Sequence, residues 1–598
     1  MKLSIKLSLL VSMLALASCG FPGNKLTSEE RVADMQWAFT IFKHNYAPAE
    51  LKNKNFGVDI AAVESDCVTL AAEEMTNDEF MGLYQKCVHT VRDAHVSAAQ
   101  MNNGILPEFA NVAHLGFSTL RTKIDWNGVP TEAVKVMSQF VGSQSPTYPV
   151  LPGDYIIEAN GRPIAEVLKD DIVPYINLGQ PESDLTFAST RFSLRSSLDM
   201  ALPSDDSIEL TVVRAGQVSQ VRLPWIVEDL LAFTEQQQPP QSEDPGDMGE
   251  LPASLVTNPL AQAFFGFEGL KALLDSFQSP VDAVVSRVKA IAITGFRFAR
   301  YNPVMKALFN GEYDEGDMAA ALKERAFPVA GSVDDLYQDP KIPAKIVKTD
   351  DGYTYAYLQI SSFPGEDEFV AEFEKAINAI ADKQIKSVVV DMIDNGGGSL
   401  IHGMRMANML RKRPLKLPSM QVRLNNNWVN SFRTVAAMGA TSAEKQIARG
   451  VVKKLKEDMD AGLKISRPLS IDVLDPFSLQ DFSKGLDDDV KIAFLVNEIC
   501  VSMCDIFASV VQDNDLGLLI GQRTMGGGGN VTGHALSPIS KFMLNLTESL
   551  IITSSGKYIE NNGVEPGLSV DMAADREAGF ASALNAAFLY VTDQTPTP

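Results

Sequence analysis

The chain has 598 residues, several times the length of a typical domain, so about two to four domains are expected. Apolar residues make up 45% and charged residues 21%, which excludes a disordered or collagen-like chain. The net charge is −23, and an acidic surface repels phosphate backbones, so nucleic acid is disfavoured as a partner. Five Cys are too few for a disulfide scaffold.

The first residues have the pattern of an export signal. Lys2 and Lys6 form a basic start, and the apolar run that follows is too short to span a bilayer permanently. The run ends in Leu16-Ala17-Ser18-Cys19-Gly20, which resembles the lipobox of bacterial lipoproteins. The resemblance implies a signal peptide at 1–18, a lipid on Cys19 as the only attachment to the membrane, and a location in the cell envelope, with the outer membrane preferred. A plain signal peptide with an incidental cysteine is the alternative.

Four further cysteines would lie in an oxidising compartment. Their even number permits a Cys67–Cys87 bond and a Cys500–Cys504 bond. If Cys500 and Cys504 lay one turn apart on a helix, a bond between them would strain that helix. Free buried thiols are therefore expected for this second pair.

The chain divides into segments of different character. Apolar residues at helical spacing predict a helical N-terminal region. Short β-rich runs separated by turns predict a small β domain, and a Pro-rich acidic stretch predicts a linker. The predicted segments are a signal peptide (1–18), an anchored linker (19–27), a helical region (28–111), a β-rich domain (112–228), an acidic linker (229–250), a helical insert (251–345) and an α/β domain (346–598).

Strands alternate with helices from Tyr353 onward. Strands are predicted at 355–360, 387–392 and 492–496, with helices near 366–381 and from about Ser502. This alternation predicts a parallel sheet with ligand chemistry at the carboxyl ends of its strands.

Two strand ends in this domain carry groups suited to catalysis. The segment Asp391 to Gly398 places three glycines after a buried strand, where backbone N–H groups can approach a ligand or an oxyanion. A tight turn is the alternative. Ser502 follows a later strand and opens a helix, a position that suits an acyl-transfer nucleophile and also a helix N-cap.

With two later segments, these form an ordered set of motifs between about Tyr353 and Leu568. The motifs DxxxNGGG, SxxDIFA, GxxTxG and YxExxGVEP resemble those of the C-terminal processing, or tail-specific, serine peptidases. The resemblance implies a crotonase/ClpP-like α/β catalytic domain with Ser502 as nucleophile. It also implies an oxyanion hole made of the N–H groups of Gly396, Gly397 and Met503, and neither a metal nor a cofactor.

The base is expected from another part of the chain. One branch of the family has a lysine between the glycines of the third motif, where this chain has Gly527. The tricorn-like branch uses a histidine in a motif like (K/R)DGHT, which Arg92-Asp93-Ala94-His95 resembles. His95 is therefore the expected general base. Glu560 is expected to hold part of the base–water network, while Asp93 could instead orient His95.

Two other histidines are alternative candidates for the base, and three residues differ from the family motifs. His402 and His534 are the alternative bases, because each follows a glycine-rich loop. Met503 stands where the family has a small residue, and its larger side chain could narrow the site or alter specificity. Asp505 replaces the usual Glu, and Ala94 the usual Gly.

The β-rich domain resembles PDZ domains. Leu115-Gly116-Phe117 is similar to their carboxylate-binding loop, and residues 152–164 are similar to their PGDxIxxxNGxPI stretch. The resemblance implies that an extended peptide adds to a sheet edge. A structural spacer with a closed groove is the alternative.

The sequence as a whole predicts a lipid-anchored envelope serine endopeptidase. It would hydrolyse peptide bonds in proteins or peptides with accessible ends, through an acyl-enzyme. The alternative from another class is an inactive peptide- or lipid-binding lipoprotein on the same fold. An acyl-CoA enzyme on the related crotonase fold is disfavoured outside the cytoplasm, where thioesters are scarce.

Overall fold

The computed structural model describes residues 25–100, 111–140, 148–197, 199–229, 325–327, 330–438, 441–474, 485–534 and 536–594. The predicted signal peptide, Cys19 and most of the predicted acidic linker and helical insert lie outside these residues. Among the helices in the described ranges, none has the length and apolar character needed to cross a membrane.

The N-terminal region is a bundle of helices closed by one strand. Capping boxes begin two of the helices, where Thr27 pairs with Glu30 and Thr76 with Glu79. Aromatic side chains of the bundle, among them Phe80, pack on Phe542 of the catalytic domain. The elements are α1 (Ser28–Asn45), α2 (Ala49–Phe56), α3 (Ile60–Ala71), α4 (Asn77–His89) and β1 (Ser97–Gln100).

Strand β1 corrects the prediction of a helical region up to residue 111. It pairs antiparallel with a strand that starts at Phe542, far away in the sequence. The main-chain hydrogen bonds available at that sheet edge outweigh the helix propensity of the local residues.

The next region contains two sheets and two helices. The larger sheet has the order β3-β4-β5-β8-β9, with β6 on β5, and the smaller has the order β10-β2-β7. The strands are β2 (Asn111–His114), β3 (Phe117–Trp126), β4 (Val129–Gln139), β5 (Tyr155–Ala159), β6 (Arg162–Pro163), β7 (Leu194–Ser196), β8 (Ser207–Arg214), β9 (Gln217–Pro224) and β10 (Ile226–Asp229). The helices are α5 (Ile164–Val167), which continues as irregular helical turns to Tyr175, and α6 (Pro181–Arg191).

Helix α6 covers the edge strand β3 of the larger sheet. The N–H of Arg121 donates to Oγ of Ser189 (2.8 Å), and Oγ1 of Thr119 donates to the carbonyl of Ser189 (2.6 Å). Side chains and carbonyls of the helix thus bond to the sheet edge at which a peptide would be added.

Within the residues described, the predicted α/β domain is built on a seven-stranded sheet of order β11-β12-β13-β14-β17-β18-β22. The pairs from β13 to β22 are parallel, whereas β11, β12 and β13 pair antiparallel. The sheet strands are β11 (Ala330–Asp335), β12 (Ala344–Thr349), β13 (Thr354–Gln359), β14 (Ser387–Asp391), β17 (Lys491–Val496), β18 (Leu518–Gly521) and β22 (Leu568–Ser569). Strand β11 and the start of β12 fall inside the predicted helical insert, so the sheet begins before residue 346.

Helices cover both faces of this sheet, which explains its continuous apolar strands. Phe373, Met404 and Phe507 cover one face, and Leu584 and Phe588 the other. The helices are α7 (Asp367–Asp382), α8 (Leu400–Asn408), α9 (Asn426–Met438), α10 (Ser442–Asp460), α11 (Met503–Asp513), α12 (Met572–Asp575) and α13 (Ala581–Val591).

Two small antiparallel sheets complete the domain. One has the order β16-β15-β21 and the other β1-β20-β19, so the N-terminal region contributes a strand to the second. The strands are β15 (Ser419–Val422), β16 (Leu469–Ser470), β19 (Val531–His534), β20 (Phe542–Thr547) and β21 (Ser549–Ile552).

Candidate active site

Ser502 lies in the sharp turn between β17 and α11. The strand ends at Val496 and the helix begins at Met503, so Ser502 is the N-cap residue of the helix. Its backbone has φ 62° and ψ −122°, and a left-handed conformation of this kind costs roughly 1–3 kcal/mol for a residue with a Cβ. The contacts around the turn must therefore hold it in place.

One buried carboxylate ties this turn to the third glycine-rich motif. Oδ2 of Asp505 accepts the N–H groups of Ser502 (3.0 Å) and Gly527 (2.9 Å), and Oδ1 accepts that of Gly526 (2.9 Å). Burial raises the pKa of Asp505 to about 6, although these hydrogen bonds oppose the shift. The aspartate that replaces the usual glutamate of the family thus makes the contacts that fix the turn.

Gly397 brings the first motif against the serine. It has φ 85°, and a Cβ at this position would lie 2.6 Å from Cβ of Ser502 and 3.0 Å from the backbone N of Met503. Only glycine fits there. The N–H of Gly397 donates to Oδ1 of Asn395 (2.8 Å), whereas a Cβ on Gly396 would meet no atom within 4 Å. The N–H of Gly397 thus already has an acceptor in this conformation, and the role of Gly396, Gly397 and Met503 as oxyanion donors stays a prediction.

The side chain of Met503 packs into the core. It is 1% exposed, and a Cβ on Gly403 of α8 would lie 2.6 Å from both its Cγ and its Cε. The absence of a side chain at Gly403 makes room for the methionine. The expectation that Met503 narrows the site is therefore wrong.

His95 lies in the turn that follows α4. Oδ1 of Asp93 accepts the N–H of His95 (2.8 Å) and the hydroxyl of Thr547 (3.0 Å), which fixes this turn to β20. Burial lowers the pKa of His95 to about 4, and Lys52 adds to the shift, while Asp93 opposes it. The imidazole is neutral near pH 7, which is the form that a general base requires.

Gly527 is where the histidine turn and the serine turn meet. A Cβ on this glycine would lie 2.9 Å from Cβ of Ala94, 3.0 Å from Cγ2 of Val501 and 3.8 Å from Cε1 of His95. In the lysine branch of the family the base extends from this position. Here Ala94 and His95 occupy that space. Val501 precedes the expected nucleophile and Ala94 precedes the expected base, so the two turns, which are far apart in the sequence, meet at Gly527.

Glu560 lies beside the same turn and is bound by a lysine. Nζ of Lys52, a fully buried residue of α2, donates to Oε1 of Glu560 and to the carbonyl of Arg92 (2.7 Å), and lies 4.0 Å from Oδ2 of Asp93. Two buried carboxylates therefore share one ammonium group. Burial and the charge of Asp93 raise the pKa of Glu560 to about 8, against the effect of Lys52, so Glu560 keeps its proton at neutral pH.

Sequence reasoning missed Lys52. It lies in a mostly polar segment, residues 49–56, of the kind that usually faces solvent. Its burial arises from contacts with residues close to both ends of the chain, and no local pattern indicates those contacts.

The two alternative histidines have partners of their own. Nδ1 of His402 lies 2.7 Å from Oγ of Ser399, and Nε2 of His534 lies 3.2 Å from Oε1 of Glu548. Those partners orient the two rings, whereas the ring of His95 lies beside the turn that carries the serine. The geometry favours His95 among the three.

Comparison with known families identifies the α/β domain. Residues 354–570 match the model of Peptidase family S41. The chain carries a serine-type S41 peptidase domain. The predicted family and enzyme class are confirmed by this match.

Sequence similarity to one relative covers most of the chain. An uncharacterized protein of Chlamydia muridarum is 23% identical over 96% of this chain and 94% of its own length. A protein of Chlamydia trachomatis is 28% identical over 39% of this chain and 42% of its own.

Solved structures share the fold. A mutant of CPAF matches with a TM-score of 0.66 at 18% identity, over 96% of this chain and 99% of CPAF. Mature CPAF complexed with lactacystin matches with a TM-score of 0.64 at 18% identity, over 95% and 99% of the two chains. This likeness confirms the predicted multidomain α+β fold.

The β-rich domain forms one wall of the S41 site. Leu178, which precedes α6, packs in a small apolar cluster with Ala94, Val501 and Met525. Its carbonyl accepts Nδ2 of Asn561 (3.3 Å). Ser502 and His95, which follow Val501 and Ala94 in the chain, are only 3% and 4% exposed.

The predicted PDZ-like carboxylate loop is closed. The N–H of Leu115 donates to the carbonyl of Ser193 (2.9 Å), and the N–H of Gly116 donates to Nδ1 of His114 (3.1 Å). Leu115 and Phe117 are fully buried. A peptide carboxylate would have to displace these bonds, so the geometry favours the alternative of a spacer with a closed groove.

Both cysteine pairs are bonded. Cys67 of α3 bonds Cys87 of α4, and Cys500 bonds Cys504. The expectation of free thiols at the second pair is wrong, because it placed both cysteines on one helix. Cys500 lies in the loop before α11, so the bond closes the turn around Ser502 rather than joining two turns of a helix.

The close packing around Gly527 can be tested with a substitution that adds a single methyl group. We expect Gly527→Ala to press on Ala94 and Val501, to destabilise the chain by about 1–3 kcal/mol and to slow labelling by a fluorophosphonate more than tenfold. Gly450→Ala in α10 is the matched control, because its added Cβ meets no atom within 4 Å. Equal labelling rates for the two variants would contradict the convergence of the turns.

The pKa of Glu560 predicts a pH dependence of stability. Its pKa rises from 4.5 in the unfolded chain to about 8, so the folded state holds a proton that the unfolded state releases. This group therefore lowers the free energy of unfolding as pH rises from 4.5 to 8. We expect a smaller decline for Glu560→Gln in melting curves across this range, and an unchanged decline for the exposed control Glu565→Gln. Parallel curves for wild type and Glu560→Gln would contradict the raised pKa.

Proposed function

We propose that this chain is an active endopeptidase that cleaves proteins or peptides through an acyl-enzyme on Ser502. The observation that carries the proposal is the convergence at Gly527 of the turn bearing His95 and the turn bearing Ser502. A neutral imidazole beside a serine at a helix N-terminus is the arrangement that activates a hydroxyl for attack on a carbonyl.

The reaction follows from the roles of these groups. Oγ of Ser502 attacks the scissile carbonyl while His95 takes the hydroxyl proton, and the N–H groups of Gly396 and Met503 stabilise the oxyanion. The C–N bond then breaks as His95 gives its proton to the leaving amine. Water, with His95 again as base, attacks the acyl-enzyme and releases the second product.

The buried site favours a second candidate, a non-catalytic binding protein. Ser502 and His95 are almost fully buried, and Leu178 packs on Val501 and Ala94, the residues that precede them. An inactive relative on this fold would keep the same packing without turnover. The two candidates differ in whether Ser502 reacts with an electrophile.

Fluorophosphonate labelling followed by peptide mass spectrometry separates them. We expect wild type to be labelled at Ser502, Ser502→Ala to remain unlabelled, and His95→Gln to be labelled at least 100-fold more slowly, as typical for loss of a general base. His402→Gln is the matched control and should react like wild type. Absence of labelling in the folded wild type would establish the binding protein instead.

We further propose that the peptidase is anchored to the cell envelope by a lipid on Cys19, with envelope proteins or their accessible ends as substrates. The LASCG sequence after a basic start and an apolar run supports this location. CPAF, which shares the fold, is solved as a complex with lactacystin, and we propose that this compound is also a ligand of the present site.

The anchor is tested by detergent-phase partition. Expressed in a bacterium with its N-terminus intact, wild type should enter the Triton X-114 phase, and Cys19→Ser should remain in the aqueous phase because it has no thiol to acylate. Equal partition of the two proteins would reject the lipid.

A further inference from the structure

Lys52 is a buried cation with contacts to each part of the site. It comes from α2, outside the matched S41 region, and none of its side chain is exposed. Its ammonium group donates to the carbonyl of Arg92, to Oε1 of Glu560 and to Oδ1 of Asn561. These three bonds account for the three donors that a lysine has.

The partners of Lys52 belong to two segments that meet only in the folded chain. Arg92 begins the turn that places His95, while Glu560 and Asn561 belong to the fourth family motif. Asn561 extends the connection, since its Nδ2 donates to the carbonyls of Arg92 (2.8 Å) and Leu178 (3.3 Å).

The charge of Lys52 also balances the site. Asp93 and Glu560 are both buried, and the charge of Asp93 helps to raise the pKa of Glu560 while Lys52 opposes that shift. With Lys52 present, the pKa of Asp93 is lowered, so Asp93 stays ionised and continues to accept the N–H of His95 and the hydroxyl of Tyr46 (2.8 Å). The cation therefore stabilises the acceptor that orients the histidine turn.

We propose that Lys52 is a positioning residue of the peptidase, which holds the His95 turn against the Glu560 segment. The proposal rests on the proposed function, because it assigns Lys52 to the reaction in which His95 is the base.

The pH profile distinguishes this role from one in stability alone. The charges facing His95 are those of Asp93, which favours the imidazolium, and Lys52, which disfavours it. Asp505 of α11 and Tyr46, which follows α1, interact electrostatically with Glu560. Loss of Lys52 therefore raises the pKa of His95, and the pH at which the base becomes neutral moves upward.

The experiment compares Lys52→Met with Arg31→Met. Arg31 is a buried cation of the same helical region that bonds the carbonyls of Leu26 and Ala71, away from the site. We expect Lys52→Met to slow fluorophosphonate labelling at least tenfold and to shift the acidic midpoint of the rate upward by about one pH unit. Arg31→Met should lower the melting temperature and leave the midpoint in place.

The outcomes distinguish the proposed peptidase function from the proposed role of Lys52. Absence of labelling in wild type would reject the proposed function itself. A labelled wild type with a folded Lys52→Met that matches it in rate and midpoint would overturn the role of Lys52 alone. If Lys52→Met does not fold, Lys52→Met/Glu560→Gln removes the cation together with the carboxyl group that it binds, and this variant is compared with Glu560→Gln. A slower rate and a higher midpoint in the double variant support the proposal, and identical profiles overturn it.

Discussion

The site depends on the carboxylate of Asp505. A serine with positive φ is not held by local preference, and the N–H groups of Ser502 and Gly527 become neighbours because the same oxygen accepts both. The bond also fixes the loop at Gly527, where an added Cβ would press on Ala94 and Val501. Placement of the histidine turn therefore begins with an interaction inside the catalytic domain. Because burial raises the pKa of Asp505 to about 6, these acceptor bonds weaken as the carboxyl takes up a proton at lower pH.

The catalytic domain does not contain the whole site. The S41 match covers residues 354–570, whereas His95 and Lys52 come from the helical region. That region is attached by the β1–β20 pairing, by the packing of Phe80 on Phe542 and by the bond from Thr547 to Asp93. Helix α4, which leads to the His95 turn, is joined to α3 by the Cys67–Cys87 bond. Stability of the N-terminal region and competence of the site are therefore linked.

The sequence predicts those elements that their own residues determine. It does not predict those that depend on contacts with residues far away in the sequence. Buried strands such as β14 and β17 and the helix after Ser502 follow from apolar runs and glycines, and the ordered motifs point to the S41 match. Strand β1 requires an edge supplied by Phe542 onward, so its own residues do not indicate it. The burial of Lys52 and the packing of Met503 against Gly403 likewise depend on residues far away in the sequence. The proposed roles of Ser502 and His95 come from resemblance and geometry, and labelling has to test them.

The protonation states give the closed site a defined chemistry at neutral pH. Asp93 is ionised, Glu560 keeps a proton and His95 is neutral, and burial is the largest influence on the pKa of each of these three groups. A proton transferred from Ser502 to His95 creates a positive charge beside Asp93, which favours it, and near Lys52, which does not. A movement of the residues around Leu178 that admitted a peptide would also bring water to the same groups. Access and proton affinity are thus coupled, because hydration removes the main cause of the low pKa of His95.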